Sequence, residues 1–153
     1  MSGIRAAHVR LQDPETIAKV IGKARDSVQD IAGAVVATRD GLVMAANIAP
    51  ELEAAALAAN PPDRRSRFAS DDMASKTAAM ASVAAGLGTQ FVQAAGTGQL
   101  QAATFEGGTG CVGVFPLTST LLLVLFGDSR VTMGRFVVAS KQALAVILGP
   151  HLD

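Results

Sequence analysis

The stretch Thr109–Asp128, TGCVGVFPLTSTLLLVLFGD, is the most apolar part of the chain. Three structures fit it: a membrane-spanning helix, a nucleotide-binding loop that opens with glycines, or two core strands joined by a turn. A spanning helix needs roughly 20 apolar residues in a row. Pro116 and the polar run 118–120 interrupt this stretch, so the sequence argues against a membrane span.

The glycines at the start of this stretch fit a nucleotide-binding pattern. Gly108, Gly110 and Gly113 match G-x-G-x-x-G, and Asp128 follows near the position of a ribose-binding acid. That motif requires a helix that begins within the glycines, so that its N-terminus faces the pyrophosphate. Residues 112–116 are strand-like instead, and the chain has no G-x-x-x-x-G-K-[ST] motif. We therefore predict a glycine-rich hairpin turn.

The composition argues against several classes of function. The 153 residues suffice for one domain, and 13 basic residues balance 13 acidic ones. Without a basic excess, and with neither Trp nor Tyr for base stacking, nucleic-acid binding is not expected. The single cysteine cannot form an internal disulfide, and the first residues, MSGIRAAHVR, have no apolar signal segment. We predict one cytoplasmic domain over 1–153, with its core at about 14–148.

The first helix has a clear start signal. Asp13 is a good N-cap, Pro14 suits the first helical position, and Glu15 favours the positive end of the helix dipole. Apolar residues then recur at three- and four-residue steps, at Ile17, Val20, Ile21, Ala24 and Val28. We predict that this helix ends near Asp30.

A hairpin follows the first helix. Residues 33–38 are typical of a buried strand, and residues 42–46 of the returning strand. Between them, Asp40 and Gly41 predict a tight primed turn, because both residues tolerate positive φ.

Residues 49–69 are the least regular part, and we predict a flexible loop there. Residues 51–59 could form a short helix, which Pro61 and Pro62 would stop. A small basic cluster at Arg64, Arg65 and Arg67 favours a solvated loop over an anion site.

A second long helix is predicted to begin at Ser70, a favourable N-cap. It carries an apolar stripe at helical spacing, formed by Met73, Thr77, Met80, Ala84, Leu87 and Phe91. Its other residues are mostly Ala, Ser and Gly. These small side chains permit close packing, against either the domain's own sheet or the same helix of a second copy.

Three more strands and a helix complete the chain. We predict strands at 100–106, 112–117 and 121–126, and a helix at 131–148 with the stripe Met133, Phe136, Val137, Ser140, Leu144 and Ile147. Hairpin connections imply an antiparallel sheet, and the continuous apolar run 121–126 predicts helices on both of its faces.

Catalytic chemistry is poorly represented. His8 and His151 lie at opposite ends of the chain, so ligands for a metal site are few. Cys111 is better explained as a small buried hydrophobe than as a nucleophile. Asp71 and Asp72 are better explained as first-turn charges of the helix than as a catalytic pair. We predict no catalytic residues, no cofactor and no metal.

The element order and three stretches resemble the Roadblock (dynein light chain) family of bacterial type. These stretches are IAGAVVATRDGLVMAAN, similar to the family's first hairpin; MASKTAAMASVAAGLGTQF, similar to its small-residue helix; and GCVGVFPLTSTLLLVLFGDSRVTMGRFVVASKQAL, similar to its final strands and helix. The resemblance covers roughly residues 14–148. It implies an α+β fold in which a five-stranded antiparallel sheet lies between two helices on one face and one on the other.

The same resemblance implies a function. Members usually form homodimers through an edge strand and the small-residue helix, and act as non-enzymatic regulators or adaptors of Ras-like small GTPases. On this chain it implies an interface of nine residues: Met73, Lys76, Thr77, Met80, Ala84, Leu87, Gln101, Ala103 and Phe105. The alternative from a different class is a small-molecule-sensing α/β domain, which requires an enclosed pocket with converging polar groups.

Overall fold

The computed structural model describes residues 11, 13–60 and 73–149. Several residues discussed above lie outside these ranges: His8, Arg64, Arg65, Arg67, Ser70, Asp71, Asp72 and His151. The predicted loop at 49–69 lies partly within them. Its first part forms a helix that ends at Ala59.

Five strands and four helices make up the described part of the chain. In chain order they are α1 (Pro14–Ser27), β1 (Ile31–Thr38), β2 (Val43–Ile48), α2 (Pro50–Ala59), α3 (Met73–Ala94), β3 (Ala103–Glu106), β4 (Cys111–Pro116), β5 (Leu121–Gly127) and α4 (Met133–Leu148). The strands form one sheet in the order β2-β1-β5-β4-β3, and every neighbouring pair is antiparallel. The α+β fold class is confirmed.

The central strand is β5, as its unbroken apolar run predicts. Its residues from Leu121 to Leu125 are all buried, because α1 and α4 cover one face of the sheet and α3 covers the other. The short helix α2 contacts α3 but buries none of its own residues. The sheet is therefore thickly covered on the α1–α4 side and only partly covered on the α3 side.

The first helix begins as predicted and ends earlier. The Asp13 carboxylate accepts a hydrogen bond from the Thr16 backbone N–H at 3.3 Å, which caps the first turn. The helix ends at Ser27 and not near Asp30, because Val28 is already extended and Asp30 has a φ of 72°. A residue in that left-handed region cannot continue a right-handed helix.

The turn of the first hairpin differs from the predicted primed turn. Thr38 donates its N–H to the Leu42 carbonyl at 2.8 Å, so the loop has three residues, and the Gly41 N–H reaches the Thr38 carbonyl at 3.0 Å. Gly41 has a φ of 93°, whereas Asp40 is not among the positive-φ residues. In a loop of this length only the last residue needs a positive φ, and here that residue is Gly41. Glycine adopts this conformation without steric cost, so Asp40 does not have to.

The ring of Phe136 is seated against two glycines of the sheet. Phe136 of α4 is fully buried. A Cβ added to Gly113 would lie 3.2 Å from its ring, and one added to Gly127 would lie 3.1 Å from it. The absence of side chains at these two strand positions lets the helix approach the sheet closely, which the spacing of the glycines did not reveal.

We expect Gly113→Ala to destabilise the fold by about 1–2 kcal/mol. The added methyl group would lie 2.7 Å from the Phe115 ring and close to Phe136, and overpacking of this kind costs about 1–3 kcal/mol. The smaller backbone entropy of alanine in the unfolded chain offsets up to about 1 kcal/mol of that cost. Urea unfolding measures the change. Gly134→Ala is the control, because nothing lies within 4 Å of the added atom, and an unchanged or raised stability is expected there. Equal stabilities for both variants would contradict the close packing of the Phe115 and Phe136 rings against Gly113.

Candidate partner-binding surface

Helix α3 packs against the sheet through its alanines. Its buried residues are Ala78, Ala81 and Ala85, which recur at the three- and four-residue steps of one helical face. Ala81 and Ala85 contact the apolar face formed by Val35, Val124 and neighbouring residues. Of the two positions that the sequence allowed for the small side chains, the described residues show the one against the domain's own sheet.

A second face of the same helix is apolar and exposed. The side chains of Met80, Val83, Leu87 and Phe91 are 72%, 71%, 64% and 71% exposed, and we call these four residues the α3 stripe. Between Met73 and Ala94, the described extent of this helix, the only ionisable side chain is Lys76. A helix that is apolar on two faces is expected to bury both, and contiguous exposed apolar residues commonly mark interaction surfaces.

The structure separates the nine predicted interface residues into two groups. Lys76, Met80, Leu87, Gln101 and Phe105 are exposed, whereas Met73, Thr77, Ala84 and Ala103 are partly buried. Ala84 and Ala103 pack against the apolar cluster on the α3 side of the sheet, so they belong partly to the domain's own core. Whether these residues form an interface stays a prediction.

Two members of the α3 stripe were not among the predicted interface residues. Val83 has no place in the predicted stripe, and Phe91 was placed in the stripe but not at the interface. Met80, Val83, Leu87 and Phe91 follow one another at steps of three or four residues. The same periodicity therefore could have found Val83, if the alanine face had been recognised as the one that meets the sheet.

Strand β3 lies beside this surface at the edge of the sheet. It was predicted at 100–106 and is observed at Ala103–Glu106. Within the described residues it pairs only with β4, so its other side presents unpaired backbone N–H and C=O groups. Phe105 on this strand is 50% exposed. Such an edge favours pairing with another strand.

The glycine motif forms a turn and no phosphate-binding loop. The Gly107 N–H donates to the Gly110 carbonyl at 2.8 Å, and strand β4 begins directly afterwards at Cys111. No helix begins within the glycines, so the arrangement lacks the helix N-terminus that would face a pyrophosphate. The prediction of a hairpin turn is confirmed.

Other chemistry is sparse in the described part of the chain. Among residues 11, 13–60 and 73–149, no group of three or more His, Cys, Asp or Glu is placed to hold a metal ion. Within the same ranges, no helix is both long enough and apolar enough to cross a membrane.

Cys111 is buried at the start of β4. Its thiol lies 3.6 Å from the Val131 carbonyl, to which it donates a weak hydrogen bond. Burial raises the pKa of this thiol above its ordinary value, and the negative charge of Glu106 adds to the effect. The thiol therefore stays protonated at neutral pH, which fits the predicted small hydrophobe and disfavours a nucleophile.

We expect Cys111 to react with a disulfide reagent at least about tenfold more slowly in the folded protein than in urea, because burial lowers both access and thiolate fraction. The folded state holds the thiol proton more tightly than the unfolded chain. The protonated Cys111 thiol therefore stabilises the fold fully at a pH below the ordinary pKa of a thiol. This stabilisation is lost as the pH rises through the higher pKa that Cys111 has in the folded state. The reaction is followed by absorbance at pH 8, and Cys111→Ser is the blank. Equal rates with and without urea would show that the thiol is accessible and would revive the nucleophile hypothesis.

The sensor hypothesis requires an enclosed pocket. One sizeable groove, of about 980 Å³, lies between α2, β3 and the ends of β4 and β5. It is open at the surface, and its floor is apolar. No observation in the described ranges favours a small-molecule site with converging polar groups.

Comparison with solved structures identifies the fold. The Roadblock/LC7 domain from Streptomyces avermitilis superposes with a TM-score of 0.61 at 17% identity, over 85% of this chain and 90% of the other. The gliding protein MglB from Thermus thermophilus gives 0.63 at 18% identity, over 88% of each chain. MglB from Myxococcus xanthus gives 0.62 at 11% identity, over 86% of this chain and 91% of that one. No family model matches the sequence, and no curated protein matches it. The chain has the Roadblock/LC7-type fold of bacterial proteins.

Proposed function

We propose that this chain is a non-enzymatic homodimer that regulates, or acts as an adaptor for, a Ras-like small GTPase in the cytoplasm. The observation that carries the proposal is the α3 stripe beside the unpaired edge of β3. The likeness to gliding proteins of the MglB type supports it, because those proteins share the fold over most of their length.

The chemistry of this surface supports the proposed dimer. The four large side chains of the α3 stripe gain free energy when they leave water, at roughly 25 cal/mol per Å² of apolar area. The only charge on the helix, at Lys76, lies one turn before Met80, so burial of the stripe desolvates no ionised group within it. Pairing of two β3 edges in the same assembly would satisfy backbone groups that face solvent in the single chain.

A protein without catalytic groups can regulate a GTPase through differential affinity. The switch loops of a small GTPase differ between its GDP and GTP states, and a partner that prefers one state shifts the population toward it. A dimer offers such a partner a continuous surface made of two sheets and two helices. The GTPase would hold the nucleotide, and this chain would supply only contacts.

The proposal is tested by binding in two nucleotide states. The immobilised chain is incubated with extract of the source cell containing either GDP or a non-hydrolysable GTP analogue, and the retained GTPase is purified and measured by biolayer interferometry. We expect affinities that differ between the states by about tenfold, within the usual range of coupling. Equal affinities for the GDP and GTP-analogue states would exclude the regulator hypothesis and leave only an adaptor. Retention of no GTPase in either state would contradict the proposal.

A further inference from the structure

The α3 side of the sheet is left uncovered at one end. The register of the strands places Phe105 opposite Val112, and Val112 opposite Phe126, so these three apolar side chains form one row across β3, β4 and β5. Val112 and Phe126 remain partly exposed and Phe105 is half exposed. The next row along the sheet, which contains Val114 and Val124, is buried beneath α3. The uncovered row is therefore the floor of a groove at the end where α3 begins.

Helix α2 forms the opposite wall of this groove. Leu52 and Ala55 of α2 line it, together with Met73 at the start of α3. The groove has a volume of about 980 Å³, which suits several side chains of a peptide. Because α2 buries none of its residues, the apolar atoms on this wall have no covering element among the described residues.

The rim of the groove is acidic. Glu51 and Asp128 line it, and no Lys, Arg or His is among its lining residues. Glu106 also borders the groove, but it pairs with Cys111, so alternation along β3 directs its side chain to the α1–α4 face of the sheet. Glu51 and Asp128 are both exposed. The only ion pair within the described ranges joins Arg135 to Asp30, so neither carboxylate is neutralised by a described residue.

We propose that this groove binds a basic segment of a partner polypeptide, in which arginine or lysine residues flank a large apolar side chain. The apolar side chain would lie on the row of Phe105, Val112 and Phe126, and the cations would pair with the carboxylates at the rim. The acidic rim favours a positively charged segment, because a neutral or acidic segment would leave these carboxylates desolvated without compensation. The inference goes beyond the proposed function, since it depends on neither the dimer nor a GTPase.

The probe is the fluorescein-labelled peptide GRRLFRRG, and binding to the full chain is measured by fluorescence anisotropy. We expect GRRLFRRG to bind, and GEELFEEG and GRRSSRRG to bind at least about tenfold more weakly, because each removes one of the two complementary features. The double variant Glu51→Gln and Asp128→Asn should weaken binding of GRRLFRRG by about fivefold or more.

The matched control carries the same change of net charge elsewhere. Glu15→Gln and Asp26→Asn alter two exposed carboxylates that do not line the groove. We expect this variant to change the affinity less than twofold. Circular dichroism confirms that both double variants are folded. Equal losses for the two double variants would show attraction to net charge alone and overturn the groove as the site, and no binding by the unmodified chain would overturn the proposal outright.

Two further variants test whether the chain's own arginines fill the groove and whether the peptide binds at the α3 stripe instead. If the chain's own Arg64, Arg65 and Arg67 filled the groove, their joint replacement by Glu would tighten binding of the peptide by tenfold or more, and the partner proposal would fall. Leu87→Glu, which alters the α3 stripe and not the groove, should bind the peptide as the unmodified chain does. A loss of binding in Leu87→Glu would assign the peptide to the dimer surface and overturn the groove as its site.

Discussion

Phe136→Ala is expected to lower the free energy of unfolding by about 3–5 kcal/mol, as measured by urea denaturation at fixed protein concentration. Phe136 is fully buried and is among the largest fully buried side chains. Its ring faces Gly113 and Gly127, where the cavity wall is strand backbone. Gly113 pairs with strands on both sides and Gly127 pairs with Ile31, so this wall cannot readily move inward. The cavity would therefore stay open, which places the cost at the upper end for such substitutions. Since domains of this size have about 5–15 kcal/mol in total, the loss is a large share of the stability.

Val138→Ala is the matched control for this prediction. Val138 lies on the same helix and is 57% exposed, so its truncation removes little buried area. A change within about 0.5 kcal/mol is expected for it. If Phe136→Ala cost less than about 1.5 kcal/mol, α4 would have to move into the cavity toward Gly113 and Gly127. The rigid packing described around the ring would then be wrong.

The interior of the sheet was predictable because its signals are local. The run at Leu121–Leu125 lacks polar alternation, which is typical of a strand covered on both faces, and it is the central strand. The start of α1 was equally clear, because Asp13 and Pro14 each favour one position of a helix N-terminus. Where the outcome depended on several residues at once, the sequence was less informative. The turn at Gly41 has three residues, since the length of the loop depends on the register of both strands and not on the Asp40-Gly41 dipeptide alone.

The candidate surface was only partly predictable for a physical reason. Periodicity shows that a helix has an apolar stripe, but it does not say which partner the stripe meets. In α3 the sheet contacts the alanine face, and the larger side chains of Met80, Leu87 and Phe91 are exposed. The acidic groove was not predicted, because Glu51 and Asp128 are distant in the sequence and come together only between α2 and the end of β5. No local pattern could have assembled them.

Leu87→Glu is expected to convert a dimer into a folded monomer. Leu87 is 64% exposed in the single chain, so a glutamate there is solvated and does not disturb the fold. In a twofold-symmetric dimer the same residue would be buried twice, and each copy would lose about 1.5–3 kcal/mol of apolar burial and place an unpaired carboxylate in the interface. The dissociation constant should rise at least about a thousandfold, which corresponds to about 4 kcal/mol. Sedimentation velocity across a range of concentrations measures it.

Ala84→Glu is a weaker test of the same interface, although Ala84 is among the predicted residues. Ala84 packs partly against the core, so a monomer produced by that variant could reflect damage to the fold. Val138→Glu is the better control, because it adds the same charge at a comparably exposed apolar residue on the opposite side of the sheet. We expect Val138→Glu to remain dimeric. A monomeric unmodified chain would contradict the interface altogether. A dimer that survives Leu87→Glu but dissociates in Phe105→Glu would place self-association on the β3 edge and leave the α3 stripe for the GTPase.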